Sequence, residues 1–226
     1  MVFDAEMFLK TPMFAIDQLG ILASVSEFLA FSEESIVKQK QAELAEVDEK
    51  VAHASIDEAE VVSYKEHLLD SINFKFDVAL PMRIRYATLT ALTSTIEWSM
   101  AVLRPSFSIG APPRGTAQVV HRLTVFSQRC GISLSDKIRQ LEFLLWVRNS
   151  IMHNAGVLKG YRFEAEIRRH IAAYGPNFMI SDWHYIGETV EIRRGTLEPI
   201  ILSWGETIRD LCTKATEQKL LLFSEI

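Results

Sequence analysis

The sequence predicts a mainly α fold, with one small β-hairpin late in the chain and a long helical arm at the beginning. Three observations carry this. Apolar residues recur at helical spacing over most of the chain. Turn-forming residues fall between those segments, at Pro105 and 110–115, at Gly131, at Gly156 and at Gly175-Pro176. Only residues 178–194 change pattern, into short β-rich runs.

Phe14, Leu19, Leu22, Val25, Phe28 and Leu29 predict a first helix over 13–31. Ser32-Glu33-Glu34-Ser35 then reads as an N-cap region. From there to Leu69 there is no proline or glycine, and Val37, Leu44, Val47, Val51 and Ala54 form a sparse stripe. This predicts one long helix, or two with a break near 55–57, and its polar balance suits a partly exposed helix or hairpin. Pro81 is expected to open the next helix, which runs to Leu103 with Ile84, Leu89, Leu92, Ile96 and Met100 inward. After the 105–115 loop, a helix from Thr116 should end at Gly131, suited to a left-handed C′ position. Ser135-Asp136 should cap the next helix, whose apolar face (Ile138, Leu141, Leu144, Leu145, Val147, Ile151) ends before Gly156. A helix over 161–173 follows, then a hairpin with Gly187-Glu188 at its turn. Thr196 should cap a last helix that tolerates Pro199 in its first turn. The domains expected are an acidic N-terminal arm over 1–80 and a main helical domain over 81–226.

The chain has 226 residues, 48% hydrophobic and 23% charged, an ordinary globular balance that argues against wholesale disorder. Cys130 and Cys212 form no CxxC pair and read as small apolar residues in a reducing compartment. No basic region followed by an apolar run opens the sequence, and no stretch has the continuous apolar length of a membrane span. A cytoplasmic protein without a membrane partner is therefore expected. Net charge is −5, but unevenly spread. Residues 1–80 hold 6 Lys/Arg against 16 Asp/Glu, whereas 114–175 hold 10 against 4. The basic excess surrounds the most informative stretch of the chain, Arg148-Asn149-Ser150-Ile151-Met152-His153 and Asn154-Ala155-Gly156.

Arginine suits a phosphate, because its planar fork donates two parallel charge-assisted hydrogen bonds. Histidine suits proton transfer near neutrality. Together they provide what metal-free RNA cleavage needs, in which the 2′-hydroxyl attacks the adjacent phosphorus. Arg148, Asn149 and His153 are the candidate catalytic residues, with Asn154 and Glu97 as candidate substrate-binding residues. On a helix Asn149 and His153 share a face. Arg148 lies about 140° around the axis from His153, so one helix makes an incomplete site and two facing helices a complete one. The alternatives are ordinary: an arginine paired with a carboxylate, and a histidine favoured by the helix dipole.

The pattern Arg-Asn-x-x-x-His resembles the HEPN superfamily, with its Arg-x4-6-His motif, over roughly residues 83–212. The resemblance implies an HEPN-like helical bundle and a metal-independent endoribonuclease acting on RNA. It also implies a toxin-like or antiviral-defence role, in which a neutralising antitoxin would be a further partner. HEPN sites commonly lie in a cleft between two such domains, which agrees with the homodimer that the geometry suggests. Non-catalytic binding of RNA, nucleotide or protein is the alternative. Arg83 and Arg85 could extend a phosphate track, and Trp183 and Tyr185 could stack a base. His121, His170 and His184 have no partner at metal-ligand spacing, so neither metal nor cofactor is expected.

Overall fold

A computed structural model of the chain describes residues 13–55, 57–103, 117–174, 177–183 and 186–218. It is mainly helical with a two-stranded antiparallel sheet, the class that the sequence predicts. The elements are α1 (Met13–Ala45), α2 (Val47–His53), α3 (Val61–Asn73), a π-helical turn (Phe74–Ala79), α4 (Leu80–Leu103), α5 (Ala117–Cys130), α6 (Ser135–Asn154), α7 (Glu164–Tyr174), β1 (Phe178–Trp183), β2 (Gly187–Ile192) and α8 (Leu197–Glu217). The chain divides into two compact units, one of residues 1–26 and 88–226, the other of residues 27–87. The boundaries fall inside α1 and α4, whereas the sequence places a single boundary at 80–81.

The larger unit has an apolar core. Leu89, Leu92, Ile96 and Met100 of α4 are fully buried, as are Leu123 and Phe126 of α5, Leu141, Leu144 and Leu145 of α6, and Trp204 and Ile208 of α8. Gly205 lets α8 approach α1 closely, since a Cβ there would stand 3.1 Å from Leu19 Cδ2. Ser99 Oγ donates to Gln18 Oε1 at 2.8 Å, tying α4 to α1 inside the core. In the smaller unit Ile36, Val47, Ile72 and Phe76 form a separate cluster, flanked by Val51, Leu69, Leu80 and Ile84.

Several expectations about element ends are corrected. Ser32–Ser35 starts no helix, because α1 runs through it unbroken; Glu33 instead accepts from Arg85 Nε at 2.7 Å. Pro81 stands in the first turn of α4, as expected, but no break in the helical backbone precedes it. Helical backbone runs from Val61 to Leu103, and the π-helical turn directly before the proline widens the backbone where its ring would clash. Ser135 does not cap α6, whose N-cap is Leu134; Thr196 stands at the N-cap of α8 as expected, but its Oγ1 gives no cap bond and donates to the Asn177 carbonyl at 3.0 Å. The hairpin turn lies before Gly187, not on it. The Ile186 amide donates to the Trp183 carbonyl at 2.8 Å, and Gly187, at φ 90°, pairs with Trp183 as the first residue of β2.

Other expectations hold. The break near 55–57 separates α2 from α3. Gly131, at φ 66°, closes α5, with the Ile132 amide on the Ser127 carbonyl at 2.9 Å in a Schellman arrangement. The 105–115 loop lies outside the described residues. One finding runs against the sequence reading. The helical stretch 15–53 contains an 18-residue window of mean hydropathy 1.2, 28% buried, which is long and apolar enough to cross a membrane by length and composition alone.

Candidate functional site

The site is built on the C-terminal half of α6. Leu141, Leu144, Leu145 and Val147 anchor the helix in the core, which fixes where the following residues emerge. Arg148 turns towards α4, and its Nη2 donates to Glu97 Oε1 at 2.9 Å. The arginine side chain is 17% exposed and the glutamate 33%. Arg148 Nε is buried and has no acceptor among the described residues. The guanidinium is therefore largely desolvated and held by one carboxylate, with other N–H groups left to donate.

His153 lies in the last turn of α6 and is exposed. Asn149, half-buried, lies one turn before it on the same face. Neither side chain has a hydrogen-bond partner among the described residues. Arg148 and His153 remain about 140° and roughly 7.5 Å apart along the helix, so the fold of one chain does not bring them onto one face. Glu97 and Arg148 are brought together. Asn154 is not left open for a ligand, because its Nδ2 donates to the Val157 carbonyl at 2.6 Å and shapes the turn after the helix.

That turn positions the site. Ala155, at φ 51°, and Gly156 leave the helix with both amides directed at the Ser150 carbonyl. Val157 then bridges to Thr189, and the Leu158 amide donates to the Glu188 carbonyl at 2.9 Å. The hairpin thus pins the exit of the motif helix, and Arg168 adds a link by pairing with both Glu164 and Glu188.

Sequence reasoning missed Tyr161 and Arg162. Burial pushes the Tyr161 phenol up, while Arg162 and Arg148 both pull it down, so the three groups share one electrostatic neighbourhood. Nothing in the residue spacing marks them, because the turn after Gly156 brings them there. The local basic excess is smaller than the count suggests, since Arg139, Arg148 and Arg168 are paired with carboxylates. Lys159, Arg162 and Arg169 make no ion pair among the described residues, and Arg162 lies over the Phe163 ring at 4.3 Å. Arg85 is paired with Glu33 in the smaller unit, which removes it from a phosphate track, and Arg83 is exposed. Tyr185 and His184 lie outside the described residues. Among the described residues no group of three His, Cys, Asp or Glu could hold a metal ion.

Comparison with protein-family models, with curated proteins and with solved structures finds no match to the chain.

Proposed function

We propose that the protein is a metal-independent endoribonuclease of HEPN type, cutting single-stranded or looped RNA by attack of the 2′-hydroxyl. The observation supporting this reading is an arginine fixed by Glu97 five residues before an exposed histidine that has no partner among the described residues. In this reading His153 moves the proton, Asn149 orients the ribose or phosphate, and Arg148, with Arg162 nearby, stabilises charge on the non-bridging oxygens. Flexible RNA is required because in-line attack needs a sugar and phosphate free to rotate. Two chains complete one centre, since a single helix separates Arg148 from His153. A toxin or antiviral-defence role, with a neutralising antitoxin as a further partner, follows from the same resemblance, and a cytoplasmic location is part of the same reading. The test is incubation of the purified protein with end-labelled RNA in excess EDTA. Products ending in 2′,3′-cyclic phosphate, lost in His153→Ala, are expected.

A second reading is favoured by one observation, the burial of Arg148 against Glu97. A guanidinium already paired can serve as a structural or binding element without catalysis. This non-catalytic module would bind RNA in the same assay and leave it intact.

A further inference from the structure

The segment between α6 and α7 sets an arginine over an aromatic stack. Arg162 Cζ lies 4.3 Å from the centre of the Phe163 ring. Phe163 stacks in turn on Trp146 of α6, with centroids 5.7 Å apart and planes 25° from parallel, and Tyr161 meets it edge-on at 6.0 Å. The three rings are half-buried and Arg162 is exposed, so the guanidinium is the part of the group most open to solvent. Its attraction to the ring holds it in place. Lys159, three residues earlier, and Arg169 on α7 are exposed as well, and none of these three cations makes an ion pair among the described residues. Arg168 occupies the carboxylates of Glu164 and Glu188, which leaves Glu166 as the opposing charge within residues 157–174. Burial raises the Tyr161 phenol, while Arg162 and then Arg148 act against it, so both guanidiniums lie within electrostatic reach of one hydroxyl.

A guanidinium offers two kinds of surface. Its edge of N–H groups donates to phosphate oxygens, and its face stacks on a base. Every base has such a face, so this contact tolerates any sequence. It does require a base that is not already stacked inside a duplex.

We propose that Arg162, held over Phe163, is a base-stacking residue for single-stranded RNA, with its N–H edge, Lys159 and Arg169 on the phosphates of the strand. This rests on the reading that RNA is the ligand of the Arg148 site, and it places nucleotides flanking the scissile phosphate on the segment between α6 and α7.

Fluorescence anisotropy of the full chain with a labelled, mixed-sequence 2′-O-methyl oligoribonucleotide tests this, because a strand without free 2′-hydroxyls cannot be cut by their attack. Saturable binding is expected, weakening as salt rises. Arg162→Ala should weaken it by about fivefold or more, the worth of one stacked base. Arg162→Lys keeps the charge and loses the plane, so it should weaken binding nearly as much and leave the salt dependence as it was. An abasic strand of the same length should bind the parent and Arg162→Lys equally, which a merely structural role for Arg162 would not produce. Changing both Lys159 and Arg169 to Gln should make the slope of log affinity against log salt shallower by about 1.4, or about 0.7 for each phosphate contact. No saturable binding, parental affinity in Arg162→Lys, or an abasic strand bound by the parent as tightly as the base-bearing one overturns the proposal. A parent that binds the strand and leaves unmodified RNA intact overturns the cleavage reading alone. A parent that cuts RNA while Arg162→Lys binds normally overturns the stacking role alone.

Discussion

Arg148 is the residue where structural cost and proposed function meet. A guanidinium only 17% exposed has lost much of its hydration, and Glu97 compensates for it across 2.9 Å. Glu97→Gln removes the charge but keeps the shape, so it leaves Arg148 under-compensated. The expected loss is roughly 1–2 kcal/mol, less than for a fully buried pair because Glu97 is one-third exposed. Urea unfolding measures it, and an unchanged midpoint would show that solvent already neutralises the arginine. Ala155 tests the end of the motif helix. An alanine at φ 51° carries left-handed strain, so Ala155→Gly should stabilise by roughly 0.5–1 kcal/mol. A lower thermal midpoint would refute that account. Cys212 shows what burial does to a thiol. Desolvation, and then the nearby Cys130, pushes it up to about 12 from an ordinary value of about 9. Above pH 9 the unfolded chain loses a proton that the folded chain keeps, so stability should fall as pH climbs from about 9 towards 12. Denaturation midpoints across that range should flatten in Cys212→Ala.

At the scale of elements, what the sequence revealed was periodicity and what it hid was capping. Leu89, Leu92, Ile96 and Met100 were legible because their spacing alone puts them on one buried face. Gly131 was legible because a left-handed C′ position selects glycine from local geometry. Ser32–Ser35 misled, and Thr196 took its N-cap place without a cap bond, because small hydroxyl and acidic residues are decided by tertiary partners. Glu33 answers to Arg85, 52 residues away, and Thr196 to Asn177. Pro81 marked the start of α4, but not the π-helical turn that joins it to α3 without a break, a local feature that no spacing announces. Of the candidate site, the residue types were legible, while the engagement of Asn154 in a turn and the approach of Tyr161 depend on how the chain leaves α6. The link that pins this exit is itself testable. Arg168 holds the Glu188 carboxyl below its ordinary value of 4.5, chiefly by hydrogen bonding, against a smaller opposing effect of burial. A lowered carboxylate stabilises above its unfolded value and loses its contribution as pH falls through the folded one. Amide exchange of β2 should therefore quicken as pH drops below about 4.5, once corrected for intrinsic rates. In Arg168→Ala that extra acid sensitivity should vanish, and its persistence would place the anchor elsewhere.

At the scale of the whole molecule, the proposed activity turns on symmetry. About 140° separates Arg148 from His153 on α6, and the helix continues unbroken through both residues to Asn154. Arg148 is committed towards α4, while His153 is exposed. With Arg148 held on Glu97 and His153 exposed, the two side chains diverge within one chain, so a second α6 offers the simplest repair. A two-fold axis supplies it twice, because each contact across such an axis is repeated. The charge pattern is compatible with this, since Lys159, Arg162 and Arg169 would be duplicated while the acidic excess lies within residues 1–80. Arg148→Ala and His153→Ala chains should each be inactive alone. If each centre takes its arginine and histidine from different chains, a mixed dimer contains one centre with both residues and one with neither. Mixing the two variants after denaturation and refolding should then restore up to about a quarter of parental activity, since half the dimers are mixed and each holds one complete centre. Sedimentation at micromolar concentration should show a dimer. Cleavage at full rate by a monomer, or no recovery in a mixture whose heterodimers are demonstrably formed, would show that the arginine and histidine do not meet across an axis.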